Sequence, residues 1–379
     1  MGNKNCALRV IITAFIIFLI SCDSSTNPPV EQKAEIYQST IQSIIEETTK
    51  EHNVPGSIAL IRFDDGSIHK SAYGFADISE ENKIEMHASH AFRIGSVTKT
   101  FIGTSILILV KQNKLQLSHT VEKLMPGLIK HGNEITLEML LNQSSAIPEY
   151  TATDEFSDTY FYNPTYSWTH EEILSLYCDE DLVDTPGIIS YYSNSNYYTL
   201  GLIIEKYSGK SLDQFLNEEI FVPLGMNDTY LPTGNEIHGS YAHGYLDVNY
   251  DGNFTEDEDY TVQSPYAIWA AGGIVSTVDD LLIWSDEIFE GNLLNAELQN
   301  KRMVIDTPIF GAPEGVNYGL AIADIFGSVG HNGAVAGYTT ILFKYNNTTF
   351  IAFGNGYETT GDKGFIADDL FDKLKEVIN

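Results

Sequence analysis

The sequence predicts an α+β fold: one antiparallel sheet built from both ends of the chain, flanked by helices and carrying a mostly helical inserted lobe. Three observations lead there. A β-hairpin pattern lies near the N-terminus, strand patterns return only from residue 321, and the stretch between reads mainly as helices joined by long polar loops. At 379 residues and 43% hydrophobic content, the chain is long enough to bury a large core.

Residues 34–51 place Ile36, Ile41, Ile44 and Ile45 at helical spacing and stop before Asn53-Val54-Pro55-Gly56. Residues 57–63 and 70–75 make a hairpin around the turn signal Asp64-Asp65-Gly66. Helices are then expected over 101–112, 137–141, 170–177, 199–207, 212–219 and 278–289. Strands follow over 321–326, 337–343 and 349–354, and an amphipathic helix closes the chain over 365–377. The expected sheet lobe is 33–95 with 321–379, and the helical lobe is 96–320.

The first residues follow a different pattern. Lys4 and Arg9 precede an apolar run from Val10 to Ile20, too short to span a bilayer comfortably and typical of a signal segment. The run ends Leu19-Ile20-Ser21-Cys22, which resembles the lipobox of bacterial lipoproteins. That likeness implies a signal peptide over 1–21, a lipid on Cys22, a tether over 22–32 and a place in the bacterial cell envelope. An ordinary secretory signal is the alternative.

The net charge is −31; losing Lys4 and Arg9 leaves 19 basic residues against 52 acidic ones, or −33. Such a surface excludes nucleic acid and anionic lipid headgroups as partners, so membrane contact would come through the lipid anchor only. A small-molecule or peptide substrate fits, and the sequence leaves the oligomeric state open. With Cys6 removed and Cys22 lipidated, Cys178 is the last thiol, which rules out a disulfide framework and a Cys-based metal site.

Ser96-Val97-Thr98-Lys99 runs straight into the apolar segment 101–110. If Ser96 opens that helix, Lys99 lies one turn up on the same face. A serine needs a base to act as nucleophile, and burial can leave a lysine neutral enough to serve. The same spacing at Ser67-Ile68-His69-Lys70 falls in a strand, where the two side chains point to opposite faces. Downstream come Tyr192-Ser193-Asn194 and Gly330-His331-Asn332-Gly333-Ala334, the latter between two expected strands. Tyr-x-Asn also recurs at Tyr345-Asn346-Asn347, so the order and spacing of all three elements carry the signal.

With these elements, and with Ile135-Thr136-Leu137-Glu138, Pro223-Leu224-Gly225-Met226 and Ala271-Gly272-Gly273-Ile274 in support, residues 35–375 resemble the serine β-lactamase and penicillin-binding-protein superfamily. The nearest branch holds class C β-lactamases, D-alanyl-D-alanine carboxypeptidases and related esterases. The resemblance implies a β-lactamase/transpeptidase-like fold. Ser96 would be the acylated nucleophile, Lys99 its proton acceptor and Tyr192 the second acid/base. Asn194 would hold the substrate amide and Lys99, and His331 and Gly333 would line the strand beside the substrate, Gly333 allowing its backbone close. The N–H groups of Ser96 and Ala334 would form the oxyanion hole. A tyrosine between amines is expected to have a lowered pKa.

The chain departs from the pattern at His331, where most β-lactamases have lysine; histidine offers a substrate carboxylate a charge only at lower pH. Relatives also usually carry His at the position of Gln143 and Gly at that of Ala146, which reads as loop variation near the cleft. The expected activity is acyl transfer to water from a peptide, amide or ester, without a catalytic cofactor. An esterase with no cell-wall role, or a catalytically silent binding or sensor lipoprotein, remains open. Separately, Asp247, Asn249, Asp251, Asn253, Thr255 and Glu258 match the calcium-loop pattern, which would make calcium a structural ion; a solvated acidic turn is the alternative. No G-x-S-x-G, H-E-x-x-H or P-loop motif occurs.

Overall fold

The run Ser57-Ile58-Ala59-Leu60-Ile61 is apolar at nearly every position, which suits a strand covered on both faces. The computed structural model describes residues 32–358 and 364–378, so Cys22, the signal segment and all but the last residue of the tether lie outside the described residues. Helix α1 (Lys33–Glu51) leads to strands β1 (Gly56–Arg62) and β2 (Ile68–Asp77), paired as the expected hairpin. Helix α2 (Thr98–Lys111) and helix α3 (Asn194–Ser208) lie in the middle of the chain. The C-terminal part supplies β3 (Ser328–Val335), β4 (Tyr338–Tyr345), β5 (Thr348–Gly354) and helix α4 (Ile366–Ile378).

Among the described residues, one sheet holds nine strands in the order 84–85, β2, β1, β5, β4, β3, 323–325, 316–318, 307–308. Its centre joins the chain ends: β1 pairs antiparallel with β5, with Ile58 opposite Phe353 and Leu60 opposite Ile351. Successive side chains go to opposite faces. Ala59, Ile61, Phe350 and Ala352 pack under α1 and α4, which contribute Ile41, Ile45, Leu370 and Leu374. Ile58, Leu60, Ile351 and Phe353 face the other way, into the larger core shared with α2 and α3. Helix α2 is buried on nearly every side, which explains its continuous apolar sequence.

Two expectations need adjusting. The strand that the resemblance implies at His331 and Gly333 is β3, where the residue pattern alone leaves a link between two strands; it runs in register with β4 from Val329–Lys344 to Val335–Tyr338. Gly330 and Gly333 lower its β-propensity, and pairing on both edges overrides that. The pattern for helix α3 also starts late: the helix begins at Asn194, so the Tyr-x-Asn element is its N-terminus.

Candidate active site

Ile94 leaves a short strand, Gly95 takes φ +50°, and residues Gly95–Val97 form a 3₁₀ turn that runs into α2. That turn puts Ser96 at the cleft and Lys99 beneath it, fully buried, with Nζ 2.9 Å from Ser96 Oγ. Nζ is also 2.7 Å from Asn194 Oδ1 and 2.7 Å from the Ala271 carbonyl oxygen. Burial lowers the Lys99 pKa from 10.5 to about 7, opposed by the nearby Glu149 charge. A neutral amine has two N–H bonds and one lone pair. Carbonyl oxygens only accept, so both N–H bonds are directed to Asn194 and Ala271, and the lone pair is left for the Ser96 hydroxyl.

The amide of Asn194 is oriented from behind. Its Nδ2 donates to Glu149 Oε1 at 3.3 Å, and its backbone N–H donates to the same carboxylate. Glu149 also accepts from Thr151 N at 2.8 Å and from its hydroxyl at 2.7 Å. Sequence reasoning missed Glu149. The only local signal was a carboxylate two residues before Thr151, the spacing of a turn cap. Gln143, in contrast, gains a role: it is fully buried, and its Oε1 accepts from Ser193 N at 3.0 Å and from the Asn196 amide at 2.5 Å. The loop variation at this position thus ties residue 143 to the start of α3. Ala146 takes φ +60°, the conformation that explains glycine in relatives.

Tyr192 leaves 39% of its surface exposed, but its phenol reaches the Ser96 hydroxyl, and its ring lies 4.9 Å below Lys99 Nζ. Desolvation drives its pKa well above 10, with only the Ser96 contact pulling it down. The expected lowering is therefore wrong in sign. It required two amines, and here the second position is histidine.

His331 does not face the substrate as expected. It is 3% exposed, and its ring sits 6.1 Å from that of Tyr192 and 5.6 Å from that of Tyr318. Its Nδ1 is 2.5 Å from the Asn332 carbonyl oxygen, which can only accept, so Nδ1 carries the proton. Nε2 then accepts from the Tyr318 hydroxyl at 2.9 Å. Burial, and secondarily Lys99, lowers the His331 pKa to about 3, so the ring is uncharged at any ordinary pH.

Gly333 has a structural purpose of its own. A Cβ there would meet Ile94 O at 2.2 Å, Ser96 N at 2.8 Å and Val97 N at 3.1 Å. A Cβ on Gly95 would likewise meet Ala334 N at 2.7 Å. Two glycines thus let β3 and the serine turn touch backbone to backbone, and Ser96 and Ala334 line the same cleft. The cleft above, about 170 Å³, is lined by Ser96, Asn194, Ala334, Thr151, Phe156 and Phe161 among others.

The calcium-pattern residues lie apart from this site. The loop joins a strand, Tyr245–Asp247, to a 3₁₀ turn, Glu256–Glu258, and not two helices. Asp247 accepts from Asp251 N at 3.2 Å and Gly252 N at 3.0 Å. Asn249 accepts from Asp251 N, and Asp251 from Asn253 N. Glu258 closes a capping box with Thr255. Among the described residues, no group of three or more His, Cys, Asp or Glu side chains is placed to hold a metal ion.

Sheet, serine turn and buried lysine together are those of a serine hydrolase of the β-lactamase and penicillin-binding type. The chain belongs to the Beta-lactamase family, whose model matches residues 41–371. Penicillin-binding protein 4* of Bacillus subtilis is 26% identical over 346 residues, which cover 84% of this chain and 72% of that protein. Protein flp of Staphylococcus aureus is 31% identical over 212 residues, 55% of this chain but only 41% of flp's own length. Among solved structures, D-amino acid amidase from Ochrobactrum anthropi, complexed with D-phenylalanine, aligns with a TM-score of 0.77 at 25% identity, covering 90% of this chain and 99% of that one.

Proposed function

We propose that the protein hydrolyses amides or esters without a carboxylate beside the scissile bond, through an acyl-enzyme on Ser96. The observation that carries this reading is the lone pair of a buried, near-neutral Lys99 aimed at the Ser96 hydroxyl over 2.9 Å. Lys99 takes the serine proton as Oγ bonds to the acyl carbon, and the N–H groups of Ser96 and Ala334 stabilise the oxyanion. Tyr192 keeps its proton and hands it to the departing nitrogen or oxygen as the scissile bond breaks; the proton on Lys99 then restores it. Water repeats the sequence on the acyl-enzyme.

The uncharged His331 favours substrates without a carboxylate beside the scissile bond, and so disfavours D-alanyl-D-alanine peptides and most β-lactams. The likeness to D-amino acid amidase supports a D-amino acid amide as substrate. Purified protein should take up one fluorophosphonate label on Ser96, read by mass spectrometry, and Ser96→Ala should take up none; undiminished labelling rejects the assignment. Comparing D-phenylalaninamide, p-nitrophenyl butyrate and a D-Ala-D-Ala peptide ranks amidase, esterase and carboxypeptidase. Lipid attachment at Cys22 belongs to the same proposal and predicts palmitate incorporation that Cys22→Ala abolishes.

A further inference from the structure

A second cavity, about 340 Å³ and open to solvent, adjoins the catalytic cleft and shares Phe161 and Tyr357 with it as common walls. Its other walls include Asp158, Tyr162, Leu246 and Tyr250. The shared rings are held in place. The Tyr260 hydroxyl donates to the Phe161 carbonyl, Tyr357 sits opposite Leu246 in a parallel strand pair, and the Tyr357 ring packs edge-on against Phe365 at 5.3 Å. The outer rings are bare: Tyr162 is 84% exposed and Tyr250 65%. Large aromatic faces left open beside a catalytic cleft are surfaces with binding energy to give, since each can cover a ligand ring at little entropy cost.

We propose that this cavity is a second subsite, taking the far end of the substrate that acylates Ser96, and that it selects an aromatic or long aliphatic group without negative charge. This rests on the acyl-enzyme reading above. Adjacency supplies the first argument: Phe161 and Tyr357 line both the cleft and the outer cavity, so the two spaces are neighbours. Size supplies the second, because the outer cavity of about 340 Å³ is of the volume that holds a small-molecule group, which the cleft of about 170 Å³ is not on its own. Charge supplies the third. Among the described lining residues of both cavities the ionisable side chains other than tyrosine reduce to Asp158, and the protein as a whole carries −31, so an anionic end is repelled.

The test compares p-nitrophenyl butyrate with p-nitrophenyl 6-phenylhexanoate, and with the latter bearing a para-carboxylate on its ring. The wild-type protein should prefer the phenyl ester about tenfold in kcat/KM and disfavour the carboxylate form about fivefold. Tyr162→Ala/Tyr250→Ala should bring the phenyl-to-butyrate ratio close to one while changing butyrate turnover less than twofold, and Asp158→Asn should relieve the carboxylate penalty. A phenyl preference unchanged in the double variant overturns the proposal. If no ester is turned over, the acyl-enzyme reading has failed by itself. Calorimetric binding of 6-phenylhexanamide to Ser96→Ala protein then decides the subsite: fivefold weaker binding in the double variant supports it, and equal binding rejects it.

Discussion

A methyl group on Gly333 would lie 2.8 Å from the Ser96 backbone nitrogen, so the turn that carries Ser96 and the strand beside it are separated by less than one side-chain atom. The relationship is structural first: β3 closes the larger core against the serine turn only because neither Gly95 nor Gly333 has a Cβ there. Its consequence for the acyl-enzyme proposal is that Ser96 and Ala334, the two proposed oxyanion donors, stand on backbone segments in direct contact.

Gly333→Ala should therefore damage both properties at once. We expect a stability loss of about 2 kcal/mol from overpacking and a fall in kcat/KM of about 100-fold from displaced N–H groups. Thermal unfolding together with ester hydrolysis checks both; a variant that unfolds earlier at unchanged kcat/KM would dissociate the glycine from the oxyanion hole.

The Lys99 pKa of about 7 sets the pH dependence. Acylation needs the amine neutral, so kcat/KM should climb with pH through about 7 and level off above 8, with no further limb until Tyr192 ionises far above 10. His331, with its pKa near 3, should contribute no inflection between pH 5 and 9. A stopped-flow pH series measures this directly. Lys99→Met should lower acylation at least 1,000-fold, the range general-base removal reaches when positioning is also lost.

Glu149 raises the Lys99 pKa through its charge, so Glu149→Gln should move the ascending limb to lower pH. It should also loosen Asn194, which the carboxylate holds through two donors, and lower the plateau severalfold. A limb that stays in place would remove Glu149 from the electrostatics of the lysine.

His331→Lys restores the charge that the cleft lacks. Turnover of carboxylate-bearing substrates relative to neutral esters should rise about tenfold at pH 8. The melting temperature should fall, because an ammonium replaces a ring satisfied by Tyr318 and the Asn332 carbonyl. An unaltered substrate ratio would mean that charge at this position does not govern selection.

Asp368, which accepts from Asn332 Nδ2 at 3.0 Å, has its pKa raised by burial from 3.8 to about 6. Its folded carboxyl binds a proton more readily than the unfolded one, so stability is lost as pH rises from 3.8 through 6 and stays lower above. Asp368→Asn should stabilise the protein by about 1–2 kcal/mol at pH 7.5, allowing for partial solvent access, and by nothing at pH 3.5. Denaturant titrations at the two pH values test the sign.

Much of this arrangement was legible from spacing. Ser96 and Lys99 meet because three residues make one helical turn, and the split sheet follows from strand patterns at the two ends. What escaped the sequence depended on contacts between distant segments. Residues 328–335 form a strand because two neighbours pair with it, not because Gly330 and Gly333 favour one. The raised Tyr192 pKa needed knowledge of how deeply its phenol is desolvated and of a histidine that bears no charge. Glu149 acts on Asn194, 45 residues away, and on the charge of Lys99, couplings of which its local turn-cap spacing gives no sign.

Because β1 finds its second neighbour only in residues 348–354, the order of synthesis matters. A ribosome releases the serine turn long before the strand that completes it, and the early hairpin waits with one edge unsatisfied until residues 348–354 are made. The nascent chain is therefore chemically inert and adhesive at the same time, and losing the final two strands should yield aggregate and not a weakened enzyme.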